Sequence, residues 1–189
     1  MVDEEKERQA GVAYAEKRKG IIEYFPKNGI GAEIGILRGD FSSLILEITK
    51  PRLLCLVDPW IHTDEAGCAE ANEGRRTQKQ MDEIYECVKL KFENVGEVEI
   101  LRMLSGIFFS LCAPGELDFC YIDGNHLFDA VMQDMEGAWK VVKSGGVIAG
   151  DDYGVVGWWK DGVTLAINHF CKIKNITPQI FDNQFLIQR

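Results

Sequence analysis

Four side chains that could do metal or acid–base chemistry lie within the stretch YIDGNHLFDAVMQDMEGAWKVVKSGGVIAGDDY, residues 121–153. Asp123 and His126 follow the apolar run LDFCYID, and Asp151 and Asp152 end the apolar run GGVIAGDD. Carboxylates that converge repel one another unless they are protonated or bind a cation. All-oxygen ligation selects magnesium, manganese or calcium over zinc, so the three aspartates are candidate ligands of Mg²⁺, or of Mn²⁺ as a second choice. Ordinary strand-end capping is the alternative explanation.

His126 stands one helical turn after Asp123. An imidazole titrates near neutral pH, so it can remove a hydroxyl proton. A divalent cation lowers the pKa of a hydroxyl that it coordinates and fixes the oxygen for attack. His126 and Asp123 are therefore the candidate catalytic residues. A histidine that caps or packs at the start of a helix is the alternative.

Short apolar runs alternate with amphipathic segments along the chain. This alternation predicts a doubly wound α/β fold with a mostly parallel sheet covered by helices on both faces. The last two runs are separated by Asp182 and Asn183 alone, so they should form an antiparallel hairpin at one edge. The predicted strands are 30–35, 52–58, 97–102, 117–123, 145–151, 177–181 and 184–188. The predicted helices are 4–24, 40–49, 77–92, 107–111, 127–142 and 161–174.

Polar residues and glycines follow the carboxyl ends of the predicted strands, where open α/β sheets bind their ligands. One crevice should therefore collect them, and a long loop at 61–78 is a candidate lid over it. Asp118 begins its strand at the opposite end of the sheet and is excluded. The residues expected at the crevice are Glu33, Gly35, Asp58, Ser105, Asp123, Asp151 and Asp152.

The first turn, AEIGILRGDFSS, indicates the charge of the ligand. Gly35 allows a tight turn and close approach of a ligand to the backbone. Gly39 opens the following helix and is assigned to the cofactor site as well. A dinucleotide site would have the spacing G-x-G-x-x-G and a helix N-terminus without acids. Glu33 and Asp40 would instead repel a diphosphate and suit a cation. S-adenosylmethionine carries a sulfonium and an ammonium group and no phosphate, so it is the expected cofactor.

Two further residues complete the predicted cofactor site. Asp58, at the end of the second strand, can accept hydrogen bonds from both ribose hydroxyls. Ser105 either meets the adenine edge or caps the helix that follows it. Asp123 ends a neighbouring strand in the same crevice and is assigned to the cofactor site as well. Taken singly, Gly35 is explained by an ordinary strand-to-helix turn and Asp58 by a cap.

Composition limits the class of protein. A chain of 189 residues with 46% hydrophobic residues predicts a single domain, 1–189, with a leading helical segment at 1–27 and a catalytic core at 28–189. The net charge of −9 argues against nucleic acid as a partner. Apolar runs are too short for a membrane partner, and six cysteines without a C-x-x-C pair indicate a reduced chain, so a cytoplasmic location is expected.

The glycine turn, LVDPW, YIDGNH and GGVIAGDDY occur in an order and at spacings that resemble class I S-adenosylmethionine-dependent methyltransferases. The chain is most similar to the branch of metal-dependent, macrocin-type sugar O-methyltransferases, over about residues 28–189. The resemblance implies a Rossmann-like seven-stranded sheet whose last strand is antiparallel, and a homodimer, since members commonly pair. It also implies site residues: Glu33, Gly35 and Asp58 for the cofactor, Asp123, Asp151 and Asp152 for the metal, and His126 as general base.

Two departures from that branch bear on function. Asn125 stands where other members have an acid, which leaves His126 as the base. The N-terminus is shorter than in antibiotic-tailoring members, whose extra segments shape the acceptor pocket.

The expected function is metal-assisted O-methyl transfer from S-adenosylmethionine to a small-molecule hydroxyl, for example on a sugar or vicinal diol. One alternative is a metal-dependent hydrolase of phosphate esters, which is disfavoured because no lysine or arginine accompanies the aspartates in the sequence. The other alternative is a methyltransferase-fold protein that binds without catalysis.

Overall fold

The computed structural model describes residues 4–62 and 76–189, so most of the predicted lid loop at 61–78 lies outside the described residues. The leading helix α1 is followed by a 3₁₀ turn, and five more helices alternate with seven strands. The helices are α1 Glu4–Arg18, the 3₁₀ turn Lys19–Tyr24, α2 Asp40–Thr49, α3 Gln78–Phe92, α4 Ser105–Leu111, α5 Phe128–Val141 and α6 Gly162–Lys174. The strands are β1 Ile30–Ile34, β2 Leu53–Val57, β3 Val98–Leu101, β4 Leu117–Ile122, β5 Val142–Gly150, β6 Gln179–Phe181 and β7 Gln184–Gln188.

The seven strands form one sheet in the order β3-β2-β1-β4-β5-β7-β6. Strands β1 to β5 pair in parallel, whereas β7 pairs antiparallel with both β5 and β6. The predicted doubly wound sheet with its C-terminal antiparallel hairpin is confirmed. The strand order reverses between β1 and β4, and this switch point opens the crevice at the carboxyl edge where ligands bind.

Both faces of the sheet are buried, and alternate residues of each strand point to opposite faces. In β4, Cys120 and Ile122 join the core formed with α5 and α6. Phe119 and Tyr121 join the opposite core, which is formed with α2 and α3. Burial on both sides explains why the central strands are continuous apolar runs, and it holds their carboxyl ends in fixed positions.

Several element boundaries differ from the predicted ones. The leading helix becomes a 3₁₀ turn after Arg18, where Gly20 has low helix propensity and the next two isoleucines are buried. Helix α4 begins two residues earlier than predicted, at Ser105, and β5 begins at Val142 rather than at 145. No helix in residues 4–62 and 76–189 is long and apolar enough to cross a membrane.

Candidate active site

A cavity of about 990 Å³ opens at the carboxyl edge, over the switch point between β1 and β4. Its wall is formed by α1, the β1–α2 turn, the end of β2, the residues after β4, and parts of α4 and α5. Gly39, Asp151 and Asp152 lie outside this wall. The predicted site residues that line it are Glu33, Gly35, Asp58, Ser105, Asp123 and His126.

Gly35 is required by the close approach of β1 and β4 at the switch point. Its φ is +84°, and a Cβ there would lie 2.0 Å from the carbonyl oxygen of Asp123. Gly39 also has a positive φ, of +69°, but a Cβ on it would meet the ring of Phe92 at 2.7 Å. Gly39 therefore serves the packing of α2 against α3, and its contact with the cofactor stays a prediction.

The Asp58 carboxylate fixes the conformation of the glycine turn. Its Oδ2 accepts hydrogen bonds from the backbone N–H groups of Ile36 (2.9 Å) and Leu37 (3.1 Å), and its Oδ1 accepts one from Trp60 (2.7 Å). Burial raises the pKa of Asp58, and these three backbone donors oppose the rise. The fully buried Trp60 adds a bond from its Nε1 to the carbonyl of Leu37. Asp58 lines the cavity with one oxygen that accepts a single bond, so it can still accept one from a ribose hydroxyl.

Glu33 is almost fully buried, with 2% of its surface exposed, yet it lines the cavity. Burial raises its pKa to about 8, and the Ser42 hydroxyl and Arg18 oppose that rise. Its Oε2 has no hydrogen-bond partner among the residues that the structure describes. A buried acceptor without a partner is costly, so the fold holds this oxygen at an expense in stability.

Asp123, His126 and Asp152 bring their ligand atoms within 4.8 Å of one another. His126 Nε2 lies 3.2 Å from Asp152 Oδ2 and 3.5 Å from Asp123 Oδ1. Nε2 is buried, and neither contact has the geometry of a hydrogen bond. Burial would lower the pKa of His126, but the neighbouring carboxylates raise it. Trp159 packs on the imidazole with ring centroids 4.5 Å apart.

The turn after β5 separates the two adjacent aspartates. Asp152 has a left-handed φ of +62°, which a residue other than glycine adopts only when its surroundings hold it there. Burial raises the pKa of Asp152 to about 6, and His126 opposes the rise. The strained backbone turns Asp152 toward the histidine, whereas Asp151 faces another group of residues.

Asp151 is held by three donors instead of joining the metal-ligand group. Its Oδ2 accepts hydrogen bonds from Tyr14 Oη and Arg18 Nη1, both at 2.8 Å, and its Oδ1 accepts one from Asn183 Nδ2 at 2.9 Å. The same Nη1 atom lies 2.5 Å from Asp123 Oδ2. The predicted triad of aspartates is thus gathered, but Asp123, His126 and Asp152 are the residues with ligand geometry. The sequence did not indicate that His126, and not Asp151, would be the third member of this group.

Arg18 is the site residue that sequence analysis missed. Only 8% of its surface is exposed, and it lines the cavity. Its guanidinium carbon lies 4.4 Å from the ring centroid of Tyr14 and 4.7 Å from that of Phe41. Burial alone would lower the pKa of Arg18, but Asp123 and Asp151 raise it. The expectation that no basic residue accompanies the aspartates is therefore wrong. Arg18 accompanies them, and its guanidinium already pairs with Asp123 and Asp151.

Ser105 is the first residue of α4, and Leu104 is the residue that precedes the helix without a side-chain cap. The capping explanation for Ser105 is therefore wrong. Burial raises the pKa of Asp134 to about 6, and the neighbouring Ser105 hydroxyl opposes the rise. Gln133 and Asp134, from α5, join the cavity wall beside Ser105 and were not predicted. An adenine contact at Ser105 stays a prediction.

The aromatic segment after β5 contributes one residue to the cavity wall. Trp158 lines the cavity, and Trp159 packs on His126. Tyr153 donates a hydrogen bond from its hydroxyl to Asn168, 3.0 Å away, and packs against the core. Of the three aromatic residues, Trp158 is thus the one in the cavity wall.

A family of methyltransferase domains matches residues 32–153, which is more than half of the chain. The chain belongs to this methyltransferase family. Family membership supports methyl transfer as the activity and S-adenosylmethionine as the methyl donor. Among curated proteins, no sequence matches the chain.

Solved structures of other methyltransferases share the fold. The O-methyltransferase NovP is 17% identical, covers 93% of this chain and 79% of its own, and has a TM-score of 0.60. The calicheamicin methyltransferase CalS11 is 10% identical, covers 96% and 79% of the two chains, and has a TM-score of 0.63. An O-methyltransferase family protein from Burkholderia thailandensis is 10% identical, with 94% and 56% covered and a TM-score of 0.61. Another structure describes CalS11 as a TDP-rhamnose 3'-O-methyltransferase.

Proposed function

We propose that this methyltransferase transfers the methyl group of S-adenosylmethionine to a hydroxyl of a small molecule, with a divalent cation assisting. The observation that carries the proposal is that the glycine turn, Asp58, Asp123 and His126 all line the same cavity. Donor and acceptor must meet in one enclosed space, because methyl transfer depends mainly on positioning. The names of NovP and CalS11 support oxygen as the acceptor atom, and that of CalS11 supports a sugar hydroxyl.

The residues after β4 and β5 fit a divalent cation. Two carboxylates and an imidazole nitrogen point at a common space, and that nitrogen is buried without a hydrogen-bond partner among the described residues. Asp123 and Asp152 would hold Mg²⁺ or Mn²⁺, and use of His126 as a third ligand would favour Mn²⁺. The cation would lower the pKa of an acceptor hydroxyl and fix its oxygen.

With the cation held by Asp123 and Asp152, His126 Nε2 would receive the hydroxyl proton instead of binding the metal. Its Nε2 lies between two carboxylates that stabilise the protonated imidazole, and Trp159 holds the plane of the ring. Asp151 keeps Arg18 in place, and Arg18 balances part of the negative charge of Asp123. Trp158 and the apolar parts of the wall exclude water from the acceptor.

The test is formation of S-adenosylhomocysteine from S-adenosylmethionine in the presence of a panel of acceptors. The panel should contain nucleotide-linked sugars, free sugars and catechols, each with Mg²⁺, with Mn²⁺ and with excess EDTA. We expect product with at least one sugar or diol, loss of product with EDTA, and recovery when the metal is restored. Turnover unchanged by EDTA would contradict the metal role, and turnover with a nitrogen or carbon acceptor alone would contradict O-methylation.

A further inference from the structure

One arginine side chain lies between two of the aspartates that follow β4 and β5. Arg18 Nη1 is 2.5 Å from Asp123 Oδ2 and 2.8 Å from Asp151 Oδ2. The side chains of Arg18 and Asp151 are 10% and 1% exposed, so salt and solvent screen this contact weakly. Converging carboxylates need a positive charge between them, and a guanidinium is always charged. Arg18 therefore acts as an internal cation at this position.

The carboxylate of Asp151 is enclosed by side chains from distant parts of the chain. Oδ2 accepts bonds from Arg18 and Tyr14, and Oδ1 accepts one from Asn183 Nδ2 at 2.9 Å. Tyr14 and Arg18 belong to α1, whereas Asn183 lies in the turn between β6 and β7. Asp151 is also outside the cavity wall. Both of its oxygens thus bond to the protein, which keeps them away from a cation.

Asp123 is shared between Arg18 and the metal-ligand group. Its Oδ2 bonds to Arg18, whereas its Oδ1 lies 3.5 Å from His126 Nε2, in the group formed with Asp152. A site for a hard cation binds more tightly as its number of anionic oxygen ligands rises. The site lacks the carboxylate of Asp151 and has a guanidinium on the far side of Asp123. Both features should weaken the binding of a cation.

We propose that Arg18 keeps Asp151 out of the metal site and thereby sets the affinity and selectivity of that site for divalent cations. The inference rests on the proposed function, since it concerns the same metal site. Arg18 is a positioning residue here, because it acts through two carboxylates. Both carboxylates reach the same nitrogen atom, so both can reach one cation when the guanidinium is removed. The controlling residue lies before residues 32–153, the part of the chain that matches the family.

The test measures cation binding without turnover. Electron paramagnetic resonance counts free Mn²⁺ during titration with MnCl₂ at fixed pH, and displacement of Mn²⁺ gives the affinities for Ca²⁺ and Mg²⁺. The main variant is Arg18→Met, which keeps an extended side chain but removes its charge and its donors. Arg18→Lys restores a positive charge.

Arg102→Met is the matched control. Arg102 also pairs with an aspartate, Asp82, and its guanidinium carbon lies 4.8 Å from the ring centroid of Tyr85, much as that of Arg18 lies over Tyr14. Arg102 and Asp82 are outside the cavity wall. The control therefore removes the same charge from a similar ion pair elsewhere, and the two variants have the same net charge.

We expect Arg18→Met to bind Mn²⁺ about 10- to 100-fold more tightly than the wild type, because a third carboxylate joins the site. The gain should be larger for Ca²⁺ than for Mg²⁺, since Ca²⁺ takes more oxygen ligands in a more flexible geometry. Arg18→Lys should lose most of the gain. Arg102→Met should stay within about threefold of the wild type, because a surface ion pair has little influence at a distance.

Asp151→Asn locates the source of the gain. In the wild-type background it should change the affinity for Mn²⁺ by less than about fivefold, because Asp151 is not a ligand there. In the Arg18→Met background it should remove most of the gain. The difference between these two effects is the coupling between Arg18 and Asp151.

Damage to the site lowers affinity, so a lowered or unchanged affinity for Mn²⁺ in Arg18→Met would overturn the inference. Loss of Mn²⁺ binding in Asp151→Asn alone would also overturn it, because Asp151 would then be a ligand in the wild type. That second result decides if circular dichroism shows that Arg18→Met is unfolded. Binding of Mn²⁺ by Arg18→Met and not by the wild type would support the inference and contradict the metal role in the proposed function. Absence of binding in both would overturn both.

Discussion

Carboxylates lie at both edges of the sheet, and their pKa values shift in opposite directions at the two edges. At the amino edge, Asp118 accepts a hydrogen bond from the backbone N–H of Ile30 at 2.7 Å and pairs with Lys143 at 2.6 Å. Burial would raise the pKa of Asp118, but these partners lower it overall. At the carboxyl edge, burial raises the pKa of Glu33, Asp151 and Asp152 above their ordinary values in spite of their partners.

The difference separates structural carboxylates from functional ones. Asp118 pairs with a backbone donor and a lysine and lies away from the cavity wall, so it stabilises the fold. The carboxyl edge collects several acids in one place and leaves atoms of Glu33 and His126 unpaired in the described structure. A fold retains such an arrangement at a cost in stability, which is typical of sites that bind charged ligands.

The largest effect on methyl transfer should come from removing a carboxylate at the carboxyl edge, with the removal of one at the amino edge as the matched control. Asp152→Asn removes a negative oxygen beside His126, so we expect methyl transfer to fall about 1,000-fold with little change in cofactor affinity. Asp118→Asn, at the amino edge, should keep methyl transfer close to the wild-type rate. Initial rates of S-adenosylhomocysteine formation measure both. Equal losses of methyl-transfer rate in the two variants would contradict the assignment of a functional role to the carboxyl edge alone.

A methyl group added at the switch point should destabilise the fold strongly. Gly35→Ala combines a left-handed φ with a Cβ in contact with the Asp123 carbonyl, so the free energy of unfolding should fall by about 2–4 kcal/mol. Gly96→Ala is the matched control, because a Cβ there meets nothing within 4 Å. Urea denaturation measures both variants. A Gly35→Ala protein as stable as the Gly96→Ala protein would show that β1 and β4 lie farther apart.

The two edges should respond to pH with opposite signs. The folded-state pKa of Glu33, about 8, exceeds the ordinary value of 4.5, so folding binds a proton and the free energy of unfolding falls as pH rises between these values. Glu33→Gln should therefore gain stability relative to wild type from pH 6 to 8, by about 1–2 kcal/mol. Denaturation series at several pH values measure this gain.

Asp118 sharpens that comparison, because its pKa is lowered in the folded state. Its contribution to stability is present above the ordinary pKa of 3.8 and is lost as pH falls through the folded-state value. Asp118→Asn should thus cost stability at neutral pH and cost less in acid. Matching pH profiles for the Glu33 and Asp118 variants would be inconsistent with the structure.

The smallest effect is expected from the hydrogen bond that joins α1 to Asp151. Tyr14→Phe removes the hydroxyl at 2.8 Å and keeps the ring that packs on Arg18. Because Asp151 keeps bonds to Arg18 and Asn183, the free energy of unfolding should fall by only about 1 kcal/mol. Thermal denaturation at fixed pH measures it, and a loss above about 3 kcal/mol would mean that Tyr14 holds α1 in place.

The sequence was sufficient for the sheet and for much of the carboxyl edge. Apolar runs alternating with helical patterns locate the strands within a few residues, and a single rule places their polar ends in one crevice. Glu33, Gly35, Asp58, Ser105, Asp123 and His126 line the cavity as expected. These positions follow from strand ends, which local sequence identifies well.

The missed features depend on contacts between distant parts of the chain. Arg18 and Asp151 are 133 positions apart, and nothing in the segment EKRKG shows which of its basic residues turns inward. Asp151 and Asp152 face different groups of residues, and the left-handed backbone at Asp152 accompanies this difference. Aspartate adopts that conformation more often than most residues, but the sequence does not show which of two adjacent aspartates does so. Gly39 was read as a ligand contact, although the ring of Phe92 explains it.

The central claim is that the cavity at the carboxyl edge binds S-adenosylmethionine. Calorimetric titration of the protein with S-adenosylhomocysteine, with NAD as the control ligand, tests it most directly. We predict saturable one-to-one binding of S-adenosylhomocysteine and no binding of NAD, because Asp40 lies in the cavity wall and the glycine turn lacks the spacing of a dinucleotide site. Binding of NAD, or of neither ligand, would contradict the assignment of the cavity.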